Sequence, residues 1–307
     1  MIFPGALGDL LLALPTLRRL RRRHDGASIT LVVGGALRGL AGLCGVAEEV
    51  QSIDAASTAW LFGGGTMPPW LARRPMVVSW LGGGDPVLGD RLALAGVPAR
   101  LLGVERGPGR VHAAVAYARA AGVPATRREL AGEARIVPPD RPRARALFAE
   151  LRRPVLAIHR GAGAPAKRWP RDGFAAVAGE WRHKRGGVIE LLGPAEAADD
   201  VVAGVVPVRD WDLPDVAALL GLVDAYVGND SGVSHLAGAV GCRGVAVFTA
   251  TDPARWRPVV PSIVAIAGRP IDHDPDALAD PSPARVLQAL AHRESLTSTH
   301  PGSSVRA

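Results

Sequence analysis

Two doubly wound α/β domains of comparable size, each on a parallel sheet, are what this 307-residue sequence predicts. Short β-branched or apolar runs alternate with helical patterns along the chain, which favours parallel βα units. A proline-rich stretch at 136–154, IVPPDRPRARALFAELRRP, breaks the alternation, and beyond it the pattern restarts. We therefore expect one domain over residues 1–150, a second over 151–293, and a polar, disordered tail, ESLTSTHPGSSVRA, over 294–307. With 48% apolar and 21% charged residues, a soluble, well-packed chain is expected rather than a disordered one.

In the first half, strands are expected at SITLVV (28–33), AWLF (59–62) and MVVSWL (76–81), with GGG turns at 63–65 and 82–84. Only Met1-Ile2-Phe3 precede Pro4, whereas a central strand normally has about 5–6 residues. Either that strand is stunted or the true start lies upstream. The following segment places Leu10, Leu14, Leu17 and Leu20 on one helical face, with Pro15 expected to kink or loosen the first turns. RVHAAVAYARAAGV (110–123) reads as an amphipathic helix closed by Gly122. In the second half, VLAIH (155–159), GVIELLG (187–193), AYVG (225–228) and GVAVFT (244–249) read as buried parallel strands. FAAVAGEWRHK (174–184) and PDVAALLGLV (214–223) are the intervening helices.

The net charge of +7 favours an anionic partner: a nucleic acid, a membrane surface or a phosphorylated substrate. The densest basic run, RRLRRRH at 18–24, reads first as a solvated helix face and second as a binding patch. No aromatic residues interleave with it to stack on bases, so no nucleic acid is expected. Cys44 and Cys242 lie far apart without metal-ligand spacing, which suggests a reducing cytosol and ordinary packing. No apolar run approaches the ~20 residues of a membrane span, and the N-terminus lacks the basic region of a signal peptide. A cytoplasmic protein is expected, with peripheral membrane contact an open option.

Chemistry concentrates in four motifs. GALGDLLLALP holds Gly5 and Gly8 between a strand and a helix, but the spacing is not G-x-G-x-x-G. The next strand, ITLVVGG, also ends without a ribose-binding acid, which argues against a dinucleotide-dependent dehydrogenase. Asp9 can serve as a helix N-cap or as a general base facing the cleft, and the two roles are compatible. HRGAGAPAKRWP puts Lys167 and Arg168 after a nearly side-chain-free loop, an arrangement suited to an anion approaching the backbone. In GPAEAADD, Glu196 lies past a strand end, as a ribose binder or an exposed first-turn acid. GNDSGVSHLAGAVG starts a helix near Ser231–Gly232, whose small residues leave N–H groups open to a diphosphate, and ends it at Gly241. Asp230 beside it would repel phosphate and so should face neutral hydroxyls, as on a sugar. His235, one turn on, reads equally as packing or as a ligand contact. Anion clamp, hydroxyl reader and opposed carboxylate together suit sugar transfer from a nucleotide diphosphate.

These four motifs, in this order and continuing into CRGVAVFTATDP, resemble glycosyltransferase family 9, the ADP-heptose:lipopolysaccharide heptosyltransferases and their relatives. The resemblance spans nearly the whole chain except the tail. It implies a GT-B fold, two Rossmann-like domains facing a central cleft, with acceptor on the first and donor on the second. It further implies an inverting, metal-independent transfer without a cofactor, with ADP-heptose as donor and a glycan or glycolipid such as lipopolysaccharide core as acceptor. Asp9 would deprotonate the acceptor. Lys167, with Arg168 and the backbone of Gly161, Ala162 and Gly163, would neutralise the departing diphosphate. Asp230 would hold sugar hydroxyls, Ser231 and Gly232 the phosphates, and Glu196 the ribose. No D-x-D stands where a divalent-ion-dependent transferase needs one. FTATDP departs from the family's commoner glycine-proline turn, and the glycines at 63–65 and 82–84 match nothing in the family's acceptor domain. Two other readings stay open: a GT-B sugar-nucleotide epimerase, which needs no acceptor cleft, and a non-catalytic anion- or nucleic-acid-binding protein using the arginine-rich helix.

Overall fold

A computed structural model describes residues 1–84, 86–104, 111–184, 186–193, 196, 201–271 and 274–295. Residues 1–3 hold the centre of the first sheet: Ile2 bridges in parallel to Val32 on one side and Ser79 on the other. Its amide donates to the Val78 carbonyl at 2.9 Å and its carbonyl accepts from Trp80 at 2.9 Å, while Phe3 donates to the Val32 carbonyl at 2.8 Å. Residues 1–3 thus bond to both flanking strands.

Downstream come α1 (Leu7–Arg23), β1 (Thr30–Val33), α2 (Arg38–Leu43), β2 (Glu49–Ser52), α3 (Pro69–Ala72), β3 (Val77–Ser79), α4 (Pro86–Leu94) and β4 (Ala99–Leu101). β1 pairs in parallel with β2, and β3 with β4, so these pairs flank the central residues. The strand expected at 59–62 is instead part of a 3-10 helix, Ala56–Phe62. The Thr58 hydroxyl anchors that turn among the carbonyls of Ser52, Ile53 and Ala55, and Gly63 ends it at φ 102°. A four-residue apolar run cannot by periodicity distinguish strand from helix.

Helices α5 (Ala113–Ala120), α6 (Arg127–Glu133) and α7 (Pro142–Ala149) lead to the second sheet. Its strands are β5 (Val155–His159), β6 (Gly187–Leu192), β7 (Val206–Arg209), β8 (Ala225–Asn229), β9 (Gly244–Phe248) and β10 (Ile263–Ala267). They alternate with α8 (Arg171–Lys184), α9 (Leu213–Leu222), α10 (Gly232–Ala239) and α11 (Pro253–Trp256). All six run parallel in the order β10-β9-β8-β5-β6-β7. The winding direction reverses between β5 and β8, so the loops at their carboxyl ends diverge and leave a crevice. A short antiparallel pair, β11 (Arg269–Ile271) and β12 (Asp274–Ala279), follows, and α12 (Pro283–Ser295) packs on α8. The expected tail beyond Ser295 lies outside the described residues. Although α7 lies in the stretch expected to divide the domains, it packs against α9.

The two halves share a core. Leu10, Leu11, Leu14 and Leu17 of α1 join Leu236, Ala237 and Ala239 of α10 in one buried cluster. α1 runs unbroken through Pro15, which is itself buried. The basic run at its end is neither a free patch nor a simple solvated face. Arg18 donates to the carbonyls of Cys44, Glu133 and Arg135, Arg19 and Arg22 pair with Glu133, Arg21 with Glu48, and Arg23 reaches the Gly122 carbonyl. Among the described residues, no helix is long and apolar enough to cross a membrane. Both cysteines are buried, as expected of packing residues.

α1 and α10 pack tightly around Gly8 and Gly232. A Cβ on Gly232 would stand 2.8 Å from Leu7 Cβ and 3.0 Å from the Gly8 amide nitrogen. Gly232→Ala should therefore lower stability by about 1–3 kcal/mol, the scale of an overpacked interior. Gly163→Ala, where a Cβ meets nothing within 4 Å, should stay within about 0.5 kcal/mol of wild type. Urea unfolding of both variants measures the contrast, and equal midpoints would contradict the tight crossing.

Candidate active site

The turn from the central strand into α1 is shaped by Gly5, where a Cβ would meet the Phe3 ring at 2.6 Å and Asp9 Cβ at 2.7 Å. Asp9 is not the N-cap. Ala6 takes that position without a side-chain cap, and Asp9 lies within the first turn, where a carboxylate is favoured by the helix dipole. Tyr117 of α5 donates its hydroxyl to Asp9 Oδ1 at 3.0 Å. Beside Asp9 opens a cavity of about 740 Å³, lined by Phe3, Trp80, Tyr117 and Trp256 among others. Gly83 and Gly84, from the second unmatched glycine stretch, line it too. At Gly83 a Cβ would collide with the Leu102 carbonyl oxygen at 2.2 Å, so only glycine lets the chain pass there.

Opposite this turn, the loops after β5, β8 and β9 form one rim. Asn229, at the end of β8, holds the loop after β5 at two points, donating to the Arg160 carbonyl at 2.6 Å and accepting from the Trp169 amide at 2.9 Å. Trp169 is buried against Phe174, and its indole N–H reaches the Pro281 carbonyl. The loop carrying Lys167 is thereby pinned at both ends. Below it, Arg160 and Glu190 form a buried ion pair, with the second Glu190 oxygen accepting from the Val202 amide at 2.8 Å.

Sequence reasoning gave Lys167 and Asp230 separate partners, but the fold pairs them. Lys167 Nζ stands 2.8 Å from Asp230 Oδ2, and the Thr251 hydroxyl donates to the same oxygen at 2.6 Å. An ammonium and a carboxylate brought together beside adjacent strand ends attract one another more strongly in a half-closed crevice than in bulk water. Gly161 sits where a Cβ would lie 2.6 Å from Glu196 Oε1, and the other Glu196 oxygen accepts from the Gly193 amide at 2.5 Å. Ser231 is the N-cap of α10, but its hydroxyl stands 3.3 Å from His159 Nδ1 instead of capping the helix. His235 packs against Gly8, where a Cβ would be 3.3 Å from its Cδ2. Gly161, Lys167, Glu196, Asp230, Ser231, Gly232 and His235 therefore gather on one rim, with Asp9 adjoining across the Gly8–Gly232 contact. Ala162 is half-buried, and Gly163 and Arg168 are exposed at the outer edge. Asn229, Thr251 and Tyr117 were not singled out from sequence, although all three stand inside quoted segments: GNDSGVSHLAGAVG, FTATDP and RVHAAVAYARAAGV.

Among the described residues, no group of three or more His, Cys, Asp and Glu side chains could hold a metal ion. The model of the family described as "Glycosyltransferase family 9 (heptosyltransferase)" matches residues 102–279. The chain belongs to this family. Among curated proteins, no sequence matches it. Solved structures do. ADP-heptose lps heptosyltransferase II of E. coli is 19% identical, covers 97% of this chain and 98% of its own, and superposes with a TM-score of 0.70. A family 9 glycosyl transferase from Veillonella parvula is 17% identical, covers 96% of each chain and gives 0.74. E. coli heptosyltransferase WaaC with ADP is 17% identical, covers 95% of this chain and 98% of its own, and gives 0.63. This glycosyltransferase thus has the GT-B architecture of two Rossmann-like domains.

Burial holds three histidines around the transferase cleft well below their usual 6.5, each to about 4. Arg160 adds to the effect at His159, while Asp230 opposes it at His235. His112 is fixed as well, with Nδ1 accepting from the Ala114 amide and Nε2 donating to the Arg257 carbonyl. All three are neutral in the fold, so below about pH 6.5 the unfolded chain takes up protons first. Stability should be full above that pH and fall toward about pH 4. Urea midpoints at about pH 7.5, about 6 and about 5 should decline in that order. An unchanged midpoint from about 7.5 to about 5 would show that these rings protonate freely in the fold.

Proposed function

We propose that the protein transfers a heptose from ADP-heptose to a hydroxyl of a glycan or glycolipid acceptor such as lipopolysaccharide core, with inversion and without a metal ion. The observation that carries this is the Gly8–Gly232 contact, which sets Asp9 beside the N-terminus of α10 and the rim bearing Lys167. The similarity to ADP-heptose lps heptosyltransferase II and to WaaC with ADP supports the choice of donor. In this reading residues 1–150 serve the acceptor and 151–293 the donor.

Tyr117 holds Asp9 Oδ1, leaving Oδ2 to take the acceptor's proton as its oxygen bonds to the sugar's anomeric carbon. The bond from that carbon to the diphosphate breaks with its electron pair staying on the phosphate oxygen. Lys167 and the N–H groups at Ser231–Gly232 stabilise that charge, aided by Arg168 and the 161–163 backbone. An ammonium has three donors, so Lys167 can keep one on Asp230 and turn another to phosphate. Asp230 Oδ1 faces sugar hydroxyls, Glu196 the ribose, and neutral His235 lines the donor side. The cavity beside Asp9 favours a transferase over an epimerase, which needs no acceptor chamber. The internal bonds of Arg18, Arg19 and Arg21–Arg23 weigh against a nucleic-acid surface. The work would be done in the cytoplasm, where a lipid-linked acceptor would bring this basic protein to an anionic membrane face.

Asp9→Asn should cut transfer by about 10²–10⁴ while ADP still binds, read by calorimetry and product formation. Lys167→Ala should weaken both binding and turnover. ADP at a hundred times its dissociation constant should stabilise the wild type by about 2.7 kcal/mol, and UDP or GDP at equal concentration by far less. Equal response to every nucleotide, or full activity in Asp9→Asn, would sink this reading.

A further inference from the structure

We propose that Thr251 is a positioning residue for donor-sugar recognition: its hydroxyl fixes the Asp230 carboxylate so that Oδ1 is presented to the sugar. The inference rests on the donor reading given above. Asp230 is only 5% exposed and stands where the loops after three adjacent strands meet. Its amide donates to the Val247 carbonyl of β9 at 2.9 Å, so its backbone is tied to that strand. The remaining freedom is rotation of the carboxylate.

A single ammonium does not fix that rotation. Lys167 sits on a flexible stem and can follow either oxygen. Thr251 can follow far less, because it lies on the short turn between β9 and α11, which Asp252 caps by accepting from the Ala254 amide at 2.8 Å. With Lys167 at 2.8 Å and Thr251 at 2.6 Å, both donors converge on Oδ2. That oxygen is saturated, and Oδ1 takes part in neither bond. Thr249 steadies the other partner: its hydroxyl donates to the Ala166 carbonyl at 2.7 Å, fixing the backbone one residue before Lys167. The turn that departs from the family's glycine-proline pattern thus holds both members of the pair.

Without the hydroxyl, the carboxylate can turn both oxygens toward Lys167, and the sugar loses its acceptor. ADP lacks the sugar and should be nearly indifferent. The test is calorimetry with ADP and with ADP-heptose on wild type, Thr251→Val and Thr251→Ser, alongside thermal melts. In Thr251→Val the preference for ADP-heptose over ADP should fall about tenfold, the scale of a hydrogen bond to a charged group, with an unchanged melting temperature. Thr251→Ser, which keeps the hydroxyl, should restore it. A valine variant with wild-type preference, a serine variant as impaired as valine, or parallel loss of both affinities would overturn the proposal and leave the donor reading standing. A wild type that binds neither molecule would overturn both.

Discussion

Two helix N-termini meet where glycine on each lets the backbones approach. Leu7 and Gly8 of α1 lie against Gly232 of α10 at distances that leave no room for a methyl group. Behind this contact the apolar faces of the two helices merge into one core, so each sheet's position is set by the other. Each N-terminus carries about half a positive charge from aligned peptide dipoles. Bringing two together is unfavourable unless negative charge lies close. The chain provides it in Asp9, in the first turn of α1, and Asp230, just before α10. An anionic ligand at this junction would add to the same compensation.

Preorganisation on the second domain comes from bonds between loops. Asn229 links the β5 loop to the end of β8, Thr249 and Thr251 link the β9 turn to both, and the Arg160–Glu190 pair lies underneath. Such a rim has little to reorganise when charge develops on a leaving group, which is where electrostatic stabilisation gains most. Burial keeps His112, His159 and His235 neutral. The positive charge at the rim's inner edge is therefore localised on Lys167 and the helix amides.

Legibility from sequence followed the range of the forces involved. The second sheet was readable because β5, β6, β8 and β9 are buried on both faces and appear as unbroken apolar runs. The closing glycines of α5 and α10 were readable for a local reason: Gly122 and Gly241 adopt φ of 69° and 86°. β7, at VPVR, was missed because half-exposed residues and a proline mask its character. The same limit applied to the site. Motifs identified the residues that line the rim, but not that Lys167 would reach Asp230 or that Asp9 would be held by Tyr117 from 108 positions away. Those pairings depend on which strands become neighbours. The arginines of α1 also looked solvent-bound because their partners, Glu48, Glu133 and the Cys44 carbonyl, come from elsewhere in the chain.

The cavity beside Asp9 bears on how that carboxylate could act as a base. Phe3, Tyr117, Trp80 and Trp256 line it, with Phe3 packed against Trp80 at 5.5 Å and Tyr117 at 5.7 Å between ring centres. Aromatic faces exclude water while offering apolar surface to a sugar ring. On the proposed mechanism, the carboxylate would meet an incoming hydroxyl with less competition from solvent. Tyr117 both contributes a wall and donates to Asp9, so packing and orientation are enforced by one side chain. The indole nitrogen of Trp80 is buried without a hydrogen-bond partner, an unfavourable placement for a donor. Its ring is nevertheless held by Phe3, next to the residue that completes the centre of the first sheet. The centre of the first sheet at Met1–Phe3, the cavity wall and the orientation of Asp9 therefore depend on the same few residues.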